Sequence, residues 1–165
     1  MKNFILSSLL ILLVTPALAN EIYITQVGDG LDLDITQDGT GNDFGDSTTD
    51  VILNGDDMTF AITQTGNNND IAAIIKGANY TGTWTFTGNT NTVDLKCSSA
   101  SAGNCETVTL NITTTGDDNT YDFDIGESAD ADATSISFTV TGDDNIVNAA
   151  VGGESAAITV VSNNS

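Results

Sequence analysis

The chain has 165 residues with 23 Asp and Glu, 3 Lys and Arg and no His, giving a formal net charge of −20 at pH 7. Phosphate contact requires cations, so such a surface excludes nucleic acid and membrane insertion through anionic lipid. Nucleophilic catalysis lacks a His base, and paired acids at turns do not supply two carboxylates across a groove, so no enzyme is expected.

Residues 1–19 read as a signal peptide. Lys2 supplies a positive start, Phe4 to Val14 is an unbroken apolar run, and Ala17-Leu18-Ala19 is a small-x-small cleavage site. The run is shorter than the roughly 20 residues of a spanning helix. The expectation is an exported, extracellular chain, residues 20–165, forming one repeat domain. Losing Lys2 takes its charge to −21, with Lys76 and Lys96 the remaining fixed cations.

From Glu21 onward helical periodicity is absent and a frame, Gly-x-x-Asn, recurs. Gln26-Val27-Gly28 opens it incompletely, with Leu31 where Asn is expected. Complete frames follow at Gly39 and Asn42, Gly66 and Asn69, Gly88 and Asn91, Gly116 and Asn119, and Gly142 and Asn145. Four residues before each Gly stands an apolar side chain (Ile35, Ile62, Trp84, Ile112, Phe138), and three before stands Thr (Thr36, Thr63, Thr85, Thr113, Thr139). Alternation with period two continues on both sides of each frame, as in Ile136, Phe138 and Val140 and then Val147, Ala149 and Val151. Each unit therefore reads as strand, tight turn, strand, with a second turn, as at Lys76-Gly77-Ala78-Asn79, returning the chain to the next unit. Gly, Asn and Asp suit the corners because they tolerate positive φ. Pro is absent after Pro16, which favours uninterrupted ladders.

Cys97 and Cys105 enclose a short polar tip. In an exported chain they are expected to form a disulfide, worth about 2.5 kcal/mol from chain entropy if unstrained. Their spacing does not fit Cys-x-x-Cys redox chemistry, and no His or further Cys is available for zinc.

Copied units of this length cannot each bury a private core, so they must stack. Two all-β arrangements fit: antiparallel hairpins of a sandwich, or a β-solenoid of about five to six rungs whose strands lie about 4.8 Å apart. Constant Thr before the Gly and constant Asn after it favour the solenoid, because there like residues stack on like. The inward Asn is then expected to bond the identical amide above and below, with Gln26, Gln37 and Gln64 adding a second amide column. Asp117 and Asp118 should lie near Asp143 and Asp144.

Gln37-Asp38-Gly39-Thr40-Gly41-Asn42 and Gln64-Thr65-Gly66-Asn67-Asn68-Asn69 resemble the repeats of curlin, built on Gln-x-Gly-x-x-Asn. The resemblance covers residues 22 to about 160. It implies a secreted structural subunit that polymerises into curli, the amyloid fibres of bacterial biofilms that serve adhesion. It further implies as partners copies of itself, a nucleator subunit, an outer-membrane secretion pore and periplasmic chaperones, with no cofactor. Two rival readings rest on the residues themselves. Thr63/Thr65, Thr85/Thr87, Thr113/Thr115 and Thr139/Thr141 form a Thr-x-Thr face that resembles ice-binding β-solenoids. Gly-Asp-Asp at residues 55–57, 116–118 and 142–144 offers stacked carboxylates to calcium, either in a calcium-modulated surface adhesin or as a modifier of assembly.

Overall fold

A computed structural model describes residues 20–46, 48–97, 106–126 and 133–164. The signal-peptide expectation over residues 1–19 and the Cys105 half of the expected disulfide lie outside these residues. In chain order the strands are β1 (Glu21–Ile22), β2 (Thr25–Val27), β3 (Asp32–Asp38), β4 (Asp43–Phe44) and β5 (Val51–Asn54). There follow β6 (Thr59–Thr65), β7 (Asp70–Lys76), β8 (Tyr80–Thr87), β9 (Thr92–Cys97) and β10 (Val108–Thr115). The last are β11 (Thr120–Ile125), β12 (Thr134–Thr141), β13 (Ile146–Val151) and β14 (Ala156–Asn163).

Every strand pair is parallel, and the strands sort into two sheets. One runs β3-β6-β8-β10-β12-β14. The other runs β1/β2, β4/β5, β7, β9, β11, β13. The chain crosses from one sheet to the other at each turn, so the architecture is a β-solenoid and the antiparallel sandwich is ruled out. The Gly-x-x-Asn frames form one corner, between the strand of the first sheet and that of the second.

The registers place like on like. Ile62, Trp84, Ile112 and Phe138 are successive partners, as are Thr63, Thr85, Thr113 and Thr139. Inward positions are buried, including Ile71, Ile75, Val93, Leu95, Tyr121, Phe123 and Ile125. Aromatic rings run along the axis in contact: Phe44 to Phe60 at 5.1 Å, Phe60 to Trp84 at 5.8 Å, Phe86 to Tyr121 at 6.0 Å, Phe123 to Phe138 at 5.0 Å. Each such side chain contributes roughly 1.5–3 kcal/mol by leaving water. Gly82 makes room for this column: a Cβ there would meet Leu110 at 2.6 Å and the Tyr80 hydroxyl at 2.7 Å.

Between β4 and β5 the chain passes against β7 at Gly45, where a Cβ would stand 2.3 Å from the Ala72 carbonyl. On β7 even the outward Ala72 and Ile74 are buried.

Candidate functional site: corner ladders and open sheet ends

The first corner is dictated by backbone conformation. Gly39, Gly66, Gly88, Gly116 and Gly142 have φ between 128° and 138°, a region closed to other residues, and the residue two later is also left-handed (Asn68, Thr90, Asp118 and Asp144 at 53–60°). The corners nest tightly. A Cβ on Gly66 would lie 1.6 Å from the Gly39 carbonyl oxygen, and one on Gly88 would lie 2.0 Å from that of Gly66.

Asn42, Asn69, Asn91 and Asn119 are buried at this corner, and Asn145 is half-buried. They do form a column, but the bonding differs from the expected amide-to-amide ladder. Each Oδ1 accepts the backbone N–H of the Asn one rung earlier: Asn42 N–H to Asn69 at 2.9 Å, Asn69 to Asn91 at 3.0 Å, Asn91 to Asn119 at 2.8 Å and Asn119 to Asn145 at 3.0 Å. The reason is the corner itself, which turns that N–H away from the strand ladder and leaves it without a carbonyl. Asn20 continues the column, its N–H donating to Asn42. Among the described residues, side-chain amides join directly between Asn119 and Asn145 (2.9 Å) and, in the Gln column, between Gln64 and Gln37 (2.8 Å).

Gln26 is not in that Gln column. It pairs with Leu53 in the other sheet and precedes a second corner built on Gly28, Gly55 and Gly77. The intervals of 27 and 22 residues match those separating Gly39, Gly66 and Gly88, a signal in the sequence that marks a second register. For the same reason the Gly-Asp-Asp of residues 55–57 stands on the opposite corner from those at 116–118 and 142–144.

An outer ladder, not foreseen from sequence, runs beside the inner one at the first corner and, among the described residues, without an inner one at the second. At the residue after Gly, the Asn67 side chain accepts the Asn89 N–H (2.7 Å), Asn89 that of Asp117 (2.8 Å) and Asp117 that of Asp143 (2.8 Å). Asp29 and Asp56 do the same at the second corner, accepting from Asp56 (3.0 Å) and Ala78 (2.7 Å). Its signal was an Asn or Asp in this position in four of the five frames. Inner side chains reach toward the N-terminal end of the stack and outer ones toward the C-terminal end, so each corner is polar along the axis.

Asp117 and Asp143 are indeed adjacent, and the Asp117 carboxylate accepts the main-chain N–H of Asp143 rather than facing a cation. Among the described residues the ion pair is Lys96 with Asp94, at 2.6 Å. Asp43 and Asp70 are cross-strand partners. Burial, then the charge of Glu21, raises the Asp43 carboxyl above its ordinary range; burial, then the charge of Asp43, raises Asp70. Asp46 is pushed down to about 2 by hydrogen bonds from the Thr48 hydroxyl and amide and from Tyr23. Among the described residues no three acidic or Cys side chains converge on a metal position.

The two ends of the stack are open. Along β14 every residue is exposed, including Ile158 and Val160 on the core-facing side. The inward Val147, Ala149 and Val151 of β13 are exposed or half-exposed because no rung covers them. At the opposite end Ile22 and Ile24 are half-exposed. The chain matches no protein family, no curated protein and no solved structure.

Proposed function

We propose that this protein is a secreted structural subunit that polymerises outside the cell into curli-like amyloid fibres, serving biofilm matrix and adhesion. The observation that carries this reading is the identity of successive rungs. Backbone pairs in register, Thr over Thr, and Asn bonds to Asn through the whole stack, so the rules that join one rung to the next also apply between molecules. Open edges of this kind are templates for further strands, and the usual blunting devices of Pro, bulges or inward charge do not protect β14. Partners are first of all copies of the chain. A nucleator, a secretion pore and periplasmic chaperones follow from the resemblance to curlin, and no cofactor is required. Negative-stain images of the Asn20–Ser165 chain test the reading: unbranched fibres are expected, whereas a compact monomer persisting for days at high concentration would contradict it.

A second reading has its own observation. Thr63, Thr85, Thr113 and Thr139 align in one column, and Thr65, Thr87, Thr115 and Thr141 in a second, on the outer face of one sheet. Thermal hysteresis and ice shaping by the soluble monomer would favour an ice-binding face over a fibre subunit.

A further inference from the structure

The two sheets end out of step, in opposite senses at the two ends. At the N-terminal end the outermost strands are β1 and β2, in the sheet that contains β13. At the C-terminal end the outermost strand is β14, in the other sheet. Each sheet contributes one arm to every rung, so β14 opens a rung whose second arm is missing, and β1 with β2 is a second arm whose first arm is missing. At the C-terminal end the place of the second arm is an open groove of about 290 Å³ among Val140, Asn145, Val147, Val160, Ser162 and Asn164.

We propose that a second copy of this chain closes that rung, its β1 and β2 lying on β13 and facing β14 of the first copy. The inference rests on the fibre reading and specifies the joint. Register supports it. Glu21 and Ile22 pair with Asp43 and Phe44, whose column continues through Ile71, Val93 and Tyr121 to Val147. Carried one step further, Ile22 of the incoming copy sits over Val147 and Asn20 over Asn145, inside the groove. Ile22 and Ile24 then face Ile158 and Val160 across the core, covering the apolar residues left exposed at both ends.

The polar ladder makes the same match. Every earlier Asn in the inner column gives its N–H to the Asn of the next rung, and the last, Asn145, makes no such bond among the described residues. The Asn20 side chain stands at the other end of that column, with its own N–H already spent on Asn42. Asn145 N–H to Asn20 Oδ1 of the next copy completes the series. Because the ladders are polar, the joint is head-to-tail and cannot form between two like ends.

Two substitutions in the Asn20–Ser165 chain test the joint from its two sides: Val160→Lys blocks the C-terminal end and Ile22→Lys the N-terminal end. Both positions are partly solvent-exposed in the single subunit, so the variants should keep its β circular dichroism; Ile158→Lys and Ile24→Lys are the replacement pair if either does not. Each variant alone should lose polymerisation. Their equimolar mixture should give a dimer that grows no further, because one intact end of each meets the other. Growth of either variant alone like the unsubstituted chain, or a dimer of one variant alone, overturns the split-rung joint. If the unsubstituted chain itself forms no fibre, the fibre reading fails and the joint falls with it; if it does, the variants judge the joint separately.

Discussion

At the scale of residues, the Asn after each corner works as an acceptor for a main-chain donor that the turn has orphaned. Asn119→Leu would leave the Asn91 N–H buried and unpaired, which costs about 1–3 kcal/mol. Thr113→Ser on the exposed face should change stability by less than about 0.5 kcal/mol. Denaturant midpoints of the two variants check this, and assembly should slow for the first only; equal effects would mean the inside and outside faces are misassigned. Glycine supplies a second comparison. Gly66→Ala meets the Gly39 carbonyl at 1.6 Å, while Gly39→Ala meets only the Asn42 side chain, at 3.5 Å. Both bear the positive-φ strain of about 1–3 kcal/mol. Only Gly66→Ala must also push two corners apart, so its melting temperature should fall well below that of Gly39→Ala.

At the scale of elements, the alternation of apolar and polar residues made the strands, the buried face and the first corner legible in sequence. The second corner was legible only at Lys76-Gly77-Ala78-Asn79, which reads as the returning turn; Gly28 looks like a broken copy of the first frame because Leu31 stands where Asn is expected, and Gly55 has Met58 at that place. The ladder chemistry was also hidden. Sequence shows that Asn recurs, but which atoms it bonds depends on the corner dihedrals, and those appear only when rungs are superposed. The edge of β4 against β7 carries a pH response. Asp43 and Asp70 have carboxyls raised above the ordinary 3.8 of the unfolded chain, so the folded state binds more protons between the two values. Stability should therefore rise as pH falls from neutral through their folded pKa and level off near 3.8. Asp46 acts oppositely, its contribution being lost as pH falls toward about 2. Thermal melts from pH 7 to pH 2 should pass through a maximum in the mildly acidic range, and Asp70→Asn should flatten the rising side. A melting temperature that falls steadily from pH 7 would contradict the assignment.

At the scale of the whole molecule, a chain of net charge −20 that stacks in register must bring its acidic corners together. Two such charges about 5 Å apart repel by under about 1 kcal/mol in water-like surroundings. Repeated along a fibre this opposes growth, and salt screens it over a Debye length of about 8 Å at physiological ionic strength. Polymerisation should accelerate with NaCl, with calcium and with falling pH. Changing Asp117, Asp118, Asp143 and Asp144 together to Asn should remove much of the salt response without unfolding the subunit, because Asn67 and Asn89 already fill the outer ladder with an amide oxygen. Kinetics indifferent to salt, calcium and pH would show that repulsion between acidic corners does not limit growth.

The measurement that reaches the central claim most directly is X-ray diffraction from aligned fibres of the Asn20–Ser165 chain. A solenoid whose rungs continue from one molecule to the next predicts a sharp reflection near 4.8 Å along the fibre axis and a broader one near 10 Å across it. A 4.8 Å reflection perpendicular to the axis, or fibres with no cross-β pattern, would contradict it.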